Sequence, residues 1–249
     1  MSGKRLRPRP LLIALIAVLA LAALLAGGTA VYAADYSRAN DIAVACMAAN
    51  ADTAGGDAAF GSAAAETVFI FYPGGKVDYA AYAPLMEALS QRGVRCVIAR
   101  MPLNLAVLDS SAALAVMARE TNAKRFVIGG HSLGGAMAAA FAAKHPDRVC
   151  GAVLLAAYPT APLAVPVLSV TASEDGVLDR AAYEEGRAYM PADFTEVVIQ
   201  GGNHAQFGSY GPQDGDRPAT LTERAQQAET VDAIVGWLTA HGWKEEPSA

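Results

Sequence analysis

Residues 129–135 read Gly129-Gly130-His131-Ser132-Leu133-Gly134-Gly135, and the reading of the chain turns on what flanks them. Arg125–Gly129 before them is a short apolar run of strand type, and Leu133–Lys144 after them is an Ala-rich run of helix type. A serine on a tight strand-to-helix turn is held in strained backbone geometry with its hydroxyl exposed at the sheet edge. Small residues on either side let strand and helix approach closely. The helix N-terminus points at the same place, where the Leu133 N–H can stabilise an oxyanion. A serine that only caps a helix is the plainer account. The strand before and the helix after favour a nucleophile at Ser132.

Working outward, the same alternation repeats. Strands are expected at Thr67–Tyr72, Val94–Ala99, Gly151–Ala156, Val165–Thr171 and Thr195–Gln200. Helices are expected near Tyr79–Gln91, Ser110–Glu120, Arg180–Ala188 and Glu223–Thr239. Short apolar strands alternating with amphipathic helices predict an α/β fold. Its sheet should be mostly parallel, of about six strands, with helices on both faces. Nothing between the strands is long enough for a separate cap domain. The chain divides into an N-terminal membrane anchor or signal segment (1–34), a linker with a short helix near Asn40–Ala49 (35–65) and the catalytic-type domain (66–249).

A serine hydroxyl is a poor nucleophile until a base takes its proton. Of the four histidines, His131 sits inside the turn and cannot easily curl back to the hydroxyl. His145 lies at the far end of the following helix, and His241 lies in a polar tail. His204, in Gly201-Gly202-Asn203-His204-Ala205 just after the last strand, remains as the base. An acid should follow a strand between the two, in the order Ser, acid, His. Asp175, on the turn Ala172-Ser173-Glu174-Asp175-Gly176, is the first choice, with Glu174 and Asp179 as alternatives. A second oxyanion donor is expected from Gly74 or Gly75, in the loop Tyr72-Pro73-Gly74-Gly75-Lys76. Val77 follows Lys76 where a phosphate loop has Ser or Thr, so nucleotide binding is rejected. The long Gly-, Asp- and Pro-rich loop from Gly201 to Ala219 begins at the histidine, and Phe207 and Tyr210 within it are expected to line the substrate pocket.

With these residues in hand, the chain resembles the α/β-hydrolase superfamily, and within it a group of small, often membrane-anchored bacterial hydrolases. The resemblance rests on Phe71–Lys76, on Met101-Pro102-Leu103-Asn104-Leu105, on the Gly130–Gly135 turn and on Gly201–Gly208. It implies Ser132, Asp175 and His204 as a triad, Leu133 with Gly74 or Gly75 as oxyanion donors, and Met101 near the pocket. It also implies cleavage of a small-molecule carboxylic ester through an acyl-enzyme. Acyl transfer on the same triad, or a non-catalytic binding protein of this fold, are the alternatives. No metal or organic cofactor is implied, since proton transfer in such a unit needs neither.

From Leu11 to Ala34 there is no charged residue, and Lys4, Arg5, Arg7 and Arg9 precede this run. That is long enough to cross a bilayer, with the body outside the cytoplasm. Cleavage as a signal peptide after Val31-Tyr32-Ala33 is the alternative, giving a secreted product. Those four basic residues are part of a total of 19 against 24 acidic, so the body is more acidic than the whole chain at -5. Such a body repels phosphate backbones, which excludes nucleic acid as an expected partner. Three cysteines with no C-x-x-C spacing suggest neither zinc nor redox work. Oligomeric state is not legible.

Overall fold

The computed structural model describes residues 10–244, which leaves the basic cluster Lys4–Arg9 outside the described residues. The chain forms two compact units, one up to Tyr36 and one from Ser37 onward. Among the described residues the first holds one helix, α1 (Pro10–Ala34). Its side chains are described without interruption only from Ile13 to Leu24, and those of Ile13, Ile16, Leu19 and Leu24 are exposed. Among the described residues no helix is long and apolar enough to cross a membrane.

The second unit opens with α2 (Asp41–Asn50), whose Asn40 cap accepts from the Ala43 N–H at 3.0 Å. There follow β1 (Ala58–Phe60), β2 (Thr67–Tyr72), α3 (Ala83–Ser90), β3 (Arg95–Ile98), α4 (Ala112–Arg119), β4 (Arg125–His131) and α5 (Leu133–Lys144). The chain continues through β5 (Gly151–Leu155), β6 (Val167–Ala172), α6 (Arg180–Gly186), β7 (Phe194–Ile199) and α7 (Glu223–Ala240). Among the described residues these strands make one seven-stranded sheet in the order β1-β3-β2-β4-β5-β6-β7. All pairs are parallel except β1 with β3.

The expected six strands become seven because β1, which lies in the stretch 35–65 read as a linker with a short helix, joins the sheet. Phe60 is fully buried and pairs with Cys96 across the β1–β3 ladder, and α2 packs its Ala43 into the domain. Three residues, Ala-Ala-Phe, are too short to show a period, so this edge strand left no signature in the pattern.

The strands sort their side chains by the period of two that a sheet imposes. Phe69, Phe71, Val127, Val153, Leu155, Leu168 and Val170 belong to one core, together with residues of α3 and α7. Val68, Ile70, Tyr72, Ile128, Ala152, Leu154 and Val167 belong to the other, with α4 and α5. Both faces of the sheet are therefore covered, which is why β2, β3, β5 and β6 are buried along their whole length. The loops after β2, β4, β6 and β7 emerge at the same, carboxyl, edge of the sheet. Ligands bind at that edge in open α/β sheets.

Candidate active site

Between β4 and α5, Ser132 alone makes the turn, with φ 54° and ψ -126°. A non-glycine residue there stores about 1–3 kcal/mol of strain, which the surroundings must over-determine. They do so by close packing. A Cβ on Gly130 would stand 2.6 Å from the Gly134 carbonyl carbon, and one on Gly134 would stand 2.2 Å from the carbonyl oxygens of Tyr72 and Pro73. The Ser132 N–H donates to Leu155 of β5 at 2.9 Å, which pins the turn to the neighbouring strand.

The loops after β6 and β7 meet through Asp175 and His204. Oδ2 of Asp175 lies 2.9 Å from Nδ1 of His204, with both side chains essentially inaccessible. Oδ1 of the same carboxylate accepts from the N–H groups of Val177 (2.9 Å) and Leu178 (2.8 Å). Burial by itself raises the Asp175 pKa. The hydrogen bond and charge of His204 and the two backbone donors outweigh it, so the carboxyl sits below its ordinary range. An ionised Asp175 requires Nδ1 of His204 to carry its proton, which leaves Nε2 as the accepting nitrogen. That Nε2 is buried and has no hydrogen-bond partner. The alternatives go elsewhere: Asp179 caps α6 through the Ala182 N–H, and Glu174 lies beside Ser173 and Arg217.

Ser132 and His204 line one cavity of about 410 Å³. Its remaining wall is largely apolar, with Leu133, Met137, Ala157, Tyr158 and Leu178. Ser132 and His204 thus border the same space, and no hydrogen bond joins the serine to Nε2. Such contacts are often loose in a free enzyme and tighten around substrate.

Of the two glycines in the loop after β2, Gly74 has its N–H bound to the Tyr82 hydroxyl at 3.0 Å. Gly75 lies against Leu133, where a Cβ would stand 2.9 Å from Leu133 Cδ2. Among the described residues no acceptor within the protein takes the N–H of Gly75 or of Leu133. No cluster of three or more His, Cys, Asp or Glu arranged to hold a metal occurs among the described residues.

A family model described as the alpha/beta hydrolase family matches residues 68–228. The chain belongs to that family. Solved structures repeat the fold. A Thermogutta terrifontis esterase 2 phosphoramylated by tabun superposes with a TM-score of 0.56 at 15% identity, covering 77% of this chain and 91% of that one. The same esterase with butyrate bound gives 0.55 at 15% identity, covering 77% and 91%. A metagenome-derived structure reported with the lipolytic enzymes LipS and LipT gives 0.56 at 14% identity, covering 72% and 97%. No curated protein matches the chain significantly.

Against this hydrolase frame the three expected pocket residues need correction. Phe207 is fully buried and Tyr210 nearly so, both in the α3–α7 core, with the Tyr210 hydroxyl on Gln213 at 2.9 Å. Met101 is buried in the opposite core. None lines the cavity that holds Ser132. The Gly201–Ala219 loop turns its two aromatic side chains inward, while Gly211–Gln213 and Asp216–Ala219 border a separate cavity of about 390 Å³. Phe207 stacks behind His131, ring centroids 5.6 Å apart.

The sequence reading missed what that loop does. Asp216 accepts from the N–H of Gly176 (3.0 Å) and of Ala205 (2.9 Å), joining the acid loop to the histidine loop. Fully buried Gln226 of α7 accepts from the Asn203 N–H at 2.9 Å and donates to the Asn203 carbonyl at 2.7 Å. His204 is thereby held from both sides. No local motif marks these residues.

Proposed function

We propose that this chain is a serine esterase in which Ser132 is the nucleophile, His204 the general base and Asp175 the residue that orients it. The observation carrying this reading is the buried Asp175–His204 pair, whose histidine keeps an unpartnered Nε2 and borders the same apolar cavity as a strained serine. In the reaction, the Ser132 oxygen attacks the ester carbonyl while its proton passes to Nε2 of His204. The resulting oxyanion accepts from the N–H groups of Leu133 and Gly75, each worth roughly 10²–10³ in rate. Collapse expels the alcohol, which takes the proton from Nε2. A water then repeats the sequence on the acyl-enzyme and releases the acid. The Gly74 N–H, already bound to Tyr82, is not assigned to the oxyanion.

Support for short acyl groups comes from the cavity, whose apolar wall suits a small hydrocarbon chain, and from the butyrate-bound state of the similar Thermogutta esterase. Hydrolysis of acetate, butyrate and decanoate esters of p-nitrophenol tests this. Turnover of the two short esters that is abolished by Ser132→Ala is the expected result. An inactive chain, or one whose activity survives that substitution, removes the reading.

We further propose that residues 1–34 tether the enzyme to the membrane, with the hydrolase domain outside the cytoplasm. The support is the charge-free run from Leu11 to Ala34 behind four basic residues. Intact mass of the protein recovered from the membrane fraction tests it. Cleavage after Ala33 would instead make the segment a signal peptide.

A further inference from the structure

His131, set aside by the sequence as a candidate base, is among the most enclosed polar groups of the domain, 1% exposed. Its ring centroid lies 4.4 Å from that of His204, 5.9 Å from Tyr82 and 5.6 Å from Phe207. Nδ1 is 2.9 Å from the Tyr82 hydroxyl, and that hydroxyl oxygen accepts from the Gly74 N–H at 3.0 Å. Gly74 rests directly on this pair. A Cβ there would stand 2.8 Å from the Tyr82 hydroxyl oxygen and 3.0 Å from Nδ1 of His131.

The proton count determines the direction of the chain. Tyr82 has one hydroxyl proton, and its oxygen already accepts from Gly74. If Nδ1 of His131 carried a proton and donated it, the buried hydroxyl proton of Tyr82 would have no acceptor among the described residues. The arrangement that satisfies the Tyr82 hydroxyl is Gly74 N–H to Tyr82, then Tyr82 O–H to Nδ1, with His131 neutral and its proton on Nε2. That nitrogen is buried, with no hydrogen-bond partner among the described residues and only the His204 backbone beside it. Burial, and then the charge that His204 takes up, hold the His131 pKa well below its usual value, outweighing a weaker opposing contact with the His204 backbone.

We propose that Tyr82 and His131 are a pair of positioning residues that couple the oxyanion loop to the face of the catalytic histidine. At one end the pair fixes the Gly74 peptide, and with it the direction of the next N–H, that of Gly75, beside Leu133. At the other end it presents an uncharged ring to His204, so the imidazolium formed when Ser132 gives up its proton meets no like charge. For its kinetic consequence the pair rests on the serine-esterase reading, whereas the hydrogen-bonded chain stands without it.

The test combines kinetics with the position of one proton. Tyr82→Phe and His131→Leu should each lower kcat about 10- to 100-fold with KM within about threefold, the cost of a displaced catalytic group. His131→Asn, which keeps an acceptor where Nδ1 stood, should lose several-fold less than His131→Leu. The double variant Tyr82→Phe/His131→Leu should be no slower than the worse single one, because both break the same chain. In ¹⁵N spectra of the solubilised full-length wild type, the His131 ring proton should sit on Nε2. A wild-type kcat in Tyr82→Phe, losses that multiply in the double variant, or a proton on Nδ1 would overturn the proposal. If His131→Leu fails to fold, Tyr82→Phe and the wild-type spectrum decide. A wild type that neither hydrolyses esters nor reacts with a fluorophosphonate sinks the esterase reading instead. In that event the proton position alone decides whether the chain of hydrogen bonds exists.

Discussion

Arg217 reaches back 42 residues along the chain to donate to the carbonyl of Asp175 at 3.2 Å. The same guanidinium donates to the carbonyls of Ser173 (2.8 Å) and Glu174 (3.3 Å), so it clasps the whole acid turn from outside. Its neighbour Asp216 completes the clasp by joining Gly176 to Ala205. Removing that carboxylate leaves three backbone donors, those of Gly176, Ala205 and Arg217, without acceptors, a cost of about 1–3 kcal/mol for each one that water cannot reach. Asp216→Ala should therefore lower both the melting temperature and kcat, the latter by about tenfold as Asp175 and His204 drift apart. Thermal unfolding and ester kinetics on the same preparation check this, and unchanged kcat would deny the clasp a part in positioning.

Asp175→Asn keeps an oxygen for the Val177 and Leu178 N–H groups but cannot hold the proton of His204 on Nδ1 by charge. A loss of about 10³- to 10⁴-fold in kcat is expected, with a lower unfolding midpoint because the stabilising contribution of the ionised carboxylate is lost as well. Steady-state kinetics at saturating ester, alongside urea unfolding, separate the two effects.

Stability should fall in acid in two stages, both with the same sign. His131 has a depressed folded pKa, so the unfolded chain binds a proton that the folded chain refuses. Its contribution is full above the unfolded value of about 6.5 and is lost as pH falls below it. Asp175 is also depressed, so its contribution is full above about 3.9 and is lost as pH drops through the lower folded value. Urea midpoints between pH 7.5 and 3 should show both stages. His131→Asn should remove the first and leave the second.

The elements proposed to carry the chemistry are legible because each is local. The Gly130–Gly134 turn announces itself between a strand and a helix, and the order Ser132, Asp175, His204 follows from strand ends that emerge at one sheet edge. What was illegible depends on distant partners. Nothing near Gly74 says that its N–H is taken by Tyr82, so the sequence offers Gly74 and Gly75 as equal donors. Phe207 and Tyr210 sit in a polar, glycine-rich loop that reads as surface, yet they pack inward against α3 and α7 residues. Asp216 and Arg217 look like solvated loop charges, and only the fold brings them against the acid turn. β1 is three residues of an alanine-rich stretch, and its place at the sheet edge comes from pairing with β3.

A fluorophosphonate probe reads the proposed activation of Ser132 without any assumption about the substrate. The full-length chain would be labelled alongside Ser132→Ala and His204→Ala, digested, and mapped by peptide mass spectrometry. Stoichiometric modification of Ser132 is expected, with none in Ser132→Ala and a rate reduced at least 100-fold in His204→Ala. A folded wild type that stays unlabelled, or is labelled equally fast without His204, would contradict the proposed activation.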